Sequence, residues 1–144
     1  MQNIDKDTGS LANELIQANN VNDFVHNNNE LLVPKNISEY LSNMMKKYNK
    51  SKKEVIQQAD MVPVYAYQIF DGKRTSPGRD KLLQLAFGFP LTIEEANELL
   101  RAGGFNSLYV RNKKDAYIMF SLAKKHTIAE VNELLINNNE PPLL

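Results

Sequence analysis

Lys46, Lys47, Lys50, Lys52 and Lys53 crowd into one short stretch, and Lys73 and Arg74 form a second cluster further on. Cations at this density hold anions: lysine is a flexible point charge, arginine a planar fork of donors, and both suit phosphate oxygens. Between the clusters lie Tyr65, Tyr67 and Gln68, and the Gln68 amide can donate and accept at once. Little else in the chain is reactive. It has no cysteine, which excludes a disulfide scaffold, a thiolate metal site and a thiol nucleophile. His26 and His126 lie far apart without partners at metal-ligand spacing, and each reads as a surface or helix-terminal side chain. Glu94, Glu95 and Glu98 read as first-turn carboxylates that complement a helix dipole, with no nucleophile, glycine-rich phosphate loop or ligand cluster beside them. The expectation is a binding protein and not an enzyme, with no catalytic residue, no metal and no cofactor.

Charge refines this. Over 144 residues, seventeen Lys and Arg balance seventeen Asp and Glu, and the 42% hydrophobic and 24% charged fractions are ordinary for a soluble globular protein. Residues 1–36 carry a net −3, residues 37–81 a net +4 and residues 82–144 a net −1. A basic middle third between acidic flanks points to a small anion-binding module within a larger chain, against the plainer alternative of a solvated mixed surface. No apolar run approaches a membrane span and no secretory segment follows Met1, so a cytoplasmic protein that contacts no membrane is expected.

The elements that must position these side chains are helical. Residues 1–9 are polar and without period, and read as a disordered start. From Ser10 to about Leu32 the sparse apolar residues fit two short helices or one broken one, because asparagines interrupt them. Val33-Pro34-Lys35-Asn36 reads as a linker. Ile37, Tyr40, Leu41, Met44, Met45 and Tyr48 then mark one face of a helix over 37–50 with Asn36 as its N-cap. The capping box Ser51-Lys52-Lys53-Glu54 opens a helix to about Ala59, and Pro63 suits the first turn of the next, which Asp71-Gly72 ends. Residues 80–108 and 115–143 repeat at an offset of 35, matching Thr92-x-x-Glu95 to Thr127-x-x-Glu130, Asn97 to Asn132 and Leu108 to Leu143. Each copy reads as a helical hairpin, about 79–88 with 93–102 and 113–124 with 128–137. In the second, Tyr117, Ile118, Phe120, Leu122, Val131, Leu134 and Leu135 are spaced as a buried seam. The chain reads as all-α.

Residues 51–70, SKKEVIQQADMVPVYAYQIF, join two short helices across a turn of three to four residues, with small Ala66 where the helices must cross closely. This resembles the helix-turn-helix of the phage-repressor-like (XRE/Cro-type) transcriptional regulators. Phe70-Asp71-Gly72-Lys73-Arg74 is similar to that family's exit from the recognition helix. The phrases YAYQIFDGKRT, RDKLLQLAFGF and LYVRNKKDA are similar to a group of such regulators in low-GC bacteria over nearly the whole chain. The resemblance implies a lambda-repressor-like five-helix domain at 37–102, with an acidic, partly helical N-terminal arm at 1–36 and a C-terminal helical hairpin at 103–144.

It also implies a partner, double-stranded DNA, and a docking scheme. The second helix of the pair enters the major groove, while the N-terminus of the first faces a phosphate. Lys52 and Lys53 would then lie near the phosphate backbone, with Lys46, Lys47 and Lys50 adding to the basic field. Val62, Pro63, Val64, Tyr65 and Gln68 would face the groove, with Tyr67 at the flank and Lys73 and Arg74 on phosphates of the other strand. Pro63 and Val64 replace the polar readers usual at the start of this helix. Val64 can act only by shape or by contact with a thymine methyl, leaving Gln68 as the adenine reader. The loop after Arg74 is lengthened by Ser76-Pro77-Gly78. A homodimer on a near-palindromic site is expected, with the repeated hairpins as the surface for the dimer, an effector or a protein partner. The alternative is an interaction module that keeps the fold and turns Val62, Pro63, Val64 and Tyr65 toward a protein partner.

Overall fold

The computed structural model describes residues 8–28 and 36–144. Among the described residues there are nine α-helices and no strand, so the all-α class read from the sequence holds. The chain divides into two compact units, Met1–Val33 and Pro34–Leu144. Residues 1–7, Leu31 and Leu32, and the expected linker residues Val33, Pro34 and Lys35 lie outside the described residues.

In the first unit, α1 (Thr8–Gln17) and α2 (Val21–Asn27) are separate helices. The break is local chemistry: Asn20 has extended backbone and its Oδ1 accepts the Asn22 N–H at 2.7 Å, an N-cap in place of a further helical turn. Phe24 and Asn28 are buried, and the Asn28 amide donates both to the Glu14 carboxylate and to the Phe24 carbonyl, joining α1 to α2. Helix α1 begins at Thr8, inside the stretch expected to be disordered. The apolar period that sequence reading relies on begins at Leu11, and the helix extends one turn before it.

The second unit holds α3 (Ile37–Tyr48), α4 (Lys52–Ala59), α5 (Pro63–Phe70), α6 (Arg79–Gly88), α7 (Ile93–Ala102), α8 (Lys113–Ala123) and α9 (Ile128–Asn137). The expected caps are present: Asn36 on α3, and reciprocal boxes Ser51–Glu54, Thr92–Glu95 and Thr127–Glu130 on α4, α7 and α9. One core cluster draws on every helix from Ile37 to Leu143. Helix α6 runs through it, with Leu82 to Gly88 buried on all sides and therefore without an amphipathic period. It packs on α4 so closely that a Cβ on Gly88 would lie 2.5 Å from the Val55 carbonyl oxygen. Glycine is what allows the two backbones to touch.

The repeat is structural as well as textual. Asn97 accepts the Leu108 N–H at 2.8 Å, and Asn132 accepts the Leu143 N–H at 2.7 Å, so each copy pins its exit segment with the same side chain. At the helix starts the copies bond to each other: Arg79 grips Asp115 in a fork at 2.8 and 2.9 Å, while Lys114 meets Asp80 at 3.0 Å. With the offset of 35, Arg79 is equivalent to Lys114 and Asp80 to Asp115, so the bridges are reciprocal. In the second copy Ile118, Leu122, Val131 and Leu135 are buried as expected, and Tyr117 and Leu134 are half-buried. Phe120 corrects the expected seam. It is exposed, because it lies two positions from both Ile118 and Leu122, which rotates it to the far side of α8. Its ring instead meets His126 edge-on.

Candidate nucleic-acid interface

The interface candidate is built on α4, the turn and α5. Helix α4 starts from Ser51, whose N–H donates to Glu54 Oε1 at 2.9 Å while its hydroxyl oxygen accepts the Glu54 N–H at 3.2 Å. The Ser51 backbone, then its hydroxyl, hold the Glu54 carboxyl below its ordinary pKa. The helix ends at Asp60, in the left-handed region at φ 55°, and buried Met61 anchors the turn. Proline fits position N1 of α5 because the missing N–H has no acceptor there. Ala66, Ile69 and Phe70 bury the inner face, and the Ser38 hydroxyl of α3 donates to the Phe70 carbonyl at 2.6 Å, fixing the C-terminal end.

The outer face of this pair is apolar. Val62 is 69% exposed, Val64 70% and Tyr67 38%, and Pro63 is exposed between them. Tyr65, two residues from both Pro63 and Tyr67, turns inward and is half-buried against the core. The Arg74 guanidinium stacks on its ring at 4.3 Å, and Lys81 Nζ approaches the same ring at 5.7 Å.

Gln68, expected from the sequence to be the adenine reader, is engaged within the protein. Its Oε1 accepts from Arg74 Nε at 3.2 Å and Nη2 at 2.9 Å. The cause is the reversal after α5: Gly72 takes a left-handed φ of 79°, and the N–H groups of Lys73 and Arg74 both donate to the Gln68 carbonyl at 3.0 Å. The chain is turned back so that Arg74 lies along the helix it has just left, where it touches Gln68 and Tyr65.

Lys52 is likewise engaged, its ammonium 2.8 Å from Asp71 Oδ1. The Lys52 hydrogen bond holds the Asp71 carboxyl below its ordinary range, with Lys73 adding to the effect. This pair joins the start of α4 to the end of α5, the segments that carry Lys53 and Lys73. Both are exposed, and neither makes an ion pair among the described residues. Lys46 is also exposed, whereas Lys50 donates to Gln58 at 2.8 Å. Lys47 leaves the basic field, because its ammonium binds Glu95.

Glu95 is buried, and it accepts from Lys47, the Tyr48 hydroxyl and the Thr92 N–H. Glu98 lies beyond the first turn of α7 and accepts the Tyr40 hydroxyl at 2.8 Å. Two of the three carboxylates read as dipole partners are therefore tethers between α3 and α7. Lys81 was not singled out from the sequence. Its signal there is only that it belongs to the basic middle third; its place beside Tyr65 depends on how α6 packs.

Among the described residues, no group of three or more His, Cys, Asp or Glu is arranged to hold a metal. No helix among them is long and apolar enough to cross a membrane. Comparison of the chain with protein-family models, with curated proteins and with solved structures gives no match.

Proposed function

We propose that this protein is a sequence-specific DNA-binding transcriptional regulator, a cytoplasmic binding protein and not an enzyme. Residues 37–102 are in this reading a lambda-repressor-like helix-turn-helix domain of the XRE/Cro kind, with α5 entering the major groove. The observation that carries it is the α4–turn–α5 pair, whose outer face is exposed, with Arg74 laid along α5 on Gln68 and Tyr65 and with exposed Lys53 and Lys73 on the two segments that the Lys52–Asp71 pair joins. Such cations hold phosphates and set orientation, and α5 chooses sequence. One such module makes few base contacts, so a homodimer on a near-palindromic site belongs to the reading, with the hairpin of 103–144 as the surface for the second copy or a protein partner.

The test is charge reversal where no structural bond is lost. Lys53→Glu combined with Lys73→Glu is expected to remove most duplex affinity while the melting temperature stays nearly unchanged. Wild-type affinity in the reversed protein would refute this docking face. A second reading, an interaction module for a protein partner, is favoured by one observation: the exposed apolar run Val62-Pro63-Val64.

A further inference from the structure

We infer that the outer face of α5 reads the C5-methyl group of pyrimidines in the major groove, in thymine or in 5-methylcytosine; this rests on the DNA-binding reading above. Pro63 and Tyr67 are four residues apart and Val64 and Tyr67 three apart, so they share one face of α5, with Val62 at its mouth. Val62, Pro63 and Val64 offer no hydrogen-bonding side-chain group. The neighbouring side chain able to pair with adenine, Gln68, has its acceptor occupied by two Arg74 N–H groups, and Asp71 at the far end is held by Lys52. Paired reading of adenine requires the Gln68 oxygen and nitrogen together, and therefore the breaking of the Arg74 fork.

The occupant follows from charge. Arg74 is bonded to Gln68 and stacked on Tyr65, and Lys81 approaches the same ring, so the helix that carries the apolar face also carries cations, which matches a polyanion with apolar groups within its groove. On the major-groove edges of DNA the apolar group is the pyrimidine methyl. Val64 and Val62, each about 70% exposed, are positioned to cover it.

The experiment measures binding of the full chain to short alternating A·T duplexes made with thymidine or with deoxyuridine, which pairs identically and lacks the methyl. Alternating G·C duplexes with cytosine or 5-methylcytosine form the second arm. The thymidine duplex is expected to bind more tightly by about fourfold per contacted methyl, the worth of burying one such group. Methylation of cytosine is expected to strengthen binding by a similar factor. Val62→Ala with Val64→Ala should erase both differences and keep the salt dependence. Equal binding of the thymidine and deoxyuridine duplexes, a difference that 5-methylcytosine does not mirror, or one that survives in the valine variant, would each overturn methyl reading while DNA binding stands. Absence of binding to every duplex would overturn both proposals and assign the apolar face to a protein partner.

Discussion

Glu95 shows how much a single side chain can carry. Burial works to raise its pKa, but the Lys47 ammonium, the Thr92 N–H and the Tyr48 hydroxyl outweigh it and hold the carboxyl below its ordinary value. A folded pKa below the unfolded one means that its stabilisation is complete above about pH 4.3 and is lost as pH falls through the folded value. Tyr48 acts on the alkaline side: burial first, then its bond to Glu95, push its hydroxyl up to about 12. Its contribution is complete below the unfolded tyrosine pKa of about 10 and is lost as pH rises beyond that. Glu95→Gln is expected to lower stability at neutral pH by about 1–3 kcal/mol and to flatten the acid limb of a melting-temperature profile. Parallel acid limbs in the two proteins would remove Glu95 from this role. At this scale the sequence showed residue types but not partners. Gln68 and Arg74 are six residues apart, and their fork exists only because Gly72 reverses the chain between them.

Elements were more legible. Caps and turns are local chemistry, so Asn36, Ser51–Glu54, Thr92–Glu95 and Thr127–Glu130 could be placed from spacing alone, and α7 and α9 have the expected bounds. What spacing could not convey is the distance between elements. Gly88 resembles any helix-terminal glycine in sequence, yet it is where α6 lies against α4: a Cβ there would also fall 2.9 Å from Val55 Cγ1. The first of the predicted clashes is with backbone, which cannot rotate away. Gly88→Ala is expected to cost about 1–3 kcal/mol or more despite its better helix propensity, read as a lowered midpoint in urea. Because α4 is the helix displaced, duplex binding should weaken with it. An unchanged or raised midpoint would show that the helices separate freely. Phe120 was misplaced for a related reason, since an apolar residue off the buried stripe is indistinguishable by type from one on it.

Over the whole second unit, the duplicated hairpin was visible in the sequence, whereas the reciprocal bridging of its copies was not. The two bridges differ in burial: the Asp115 side chain is 6% exposed, Asp80 44%. Burial decides their worth. Arg79→Ala leaves the buried Asp115 carboxylate with the Tyr109 N–H and no cation, and is expected to cost about 3 kcal/mol. Lys114→Ala leaves a half-exposed carboxylate in water and should cost about 0–1 kcal/mol. Denaturation of the two variants side by side checks this, and equal losses would contradict the account of how the second hairpin is fastened.

The most direct test of the central claim is the salt dependence of binding between the full chain and duplex DNA. If Lys53, Lys73 and Arg74 each neutralise one phosphate, log affinity should fall against log salt with a slope near about −0.9 per contact, or about −2.7 per protomer. A flat salt dependence, or no binding at low salt, would contradict the proposal that α4 and α5 form a DNA-docking face.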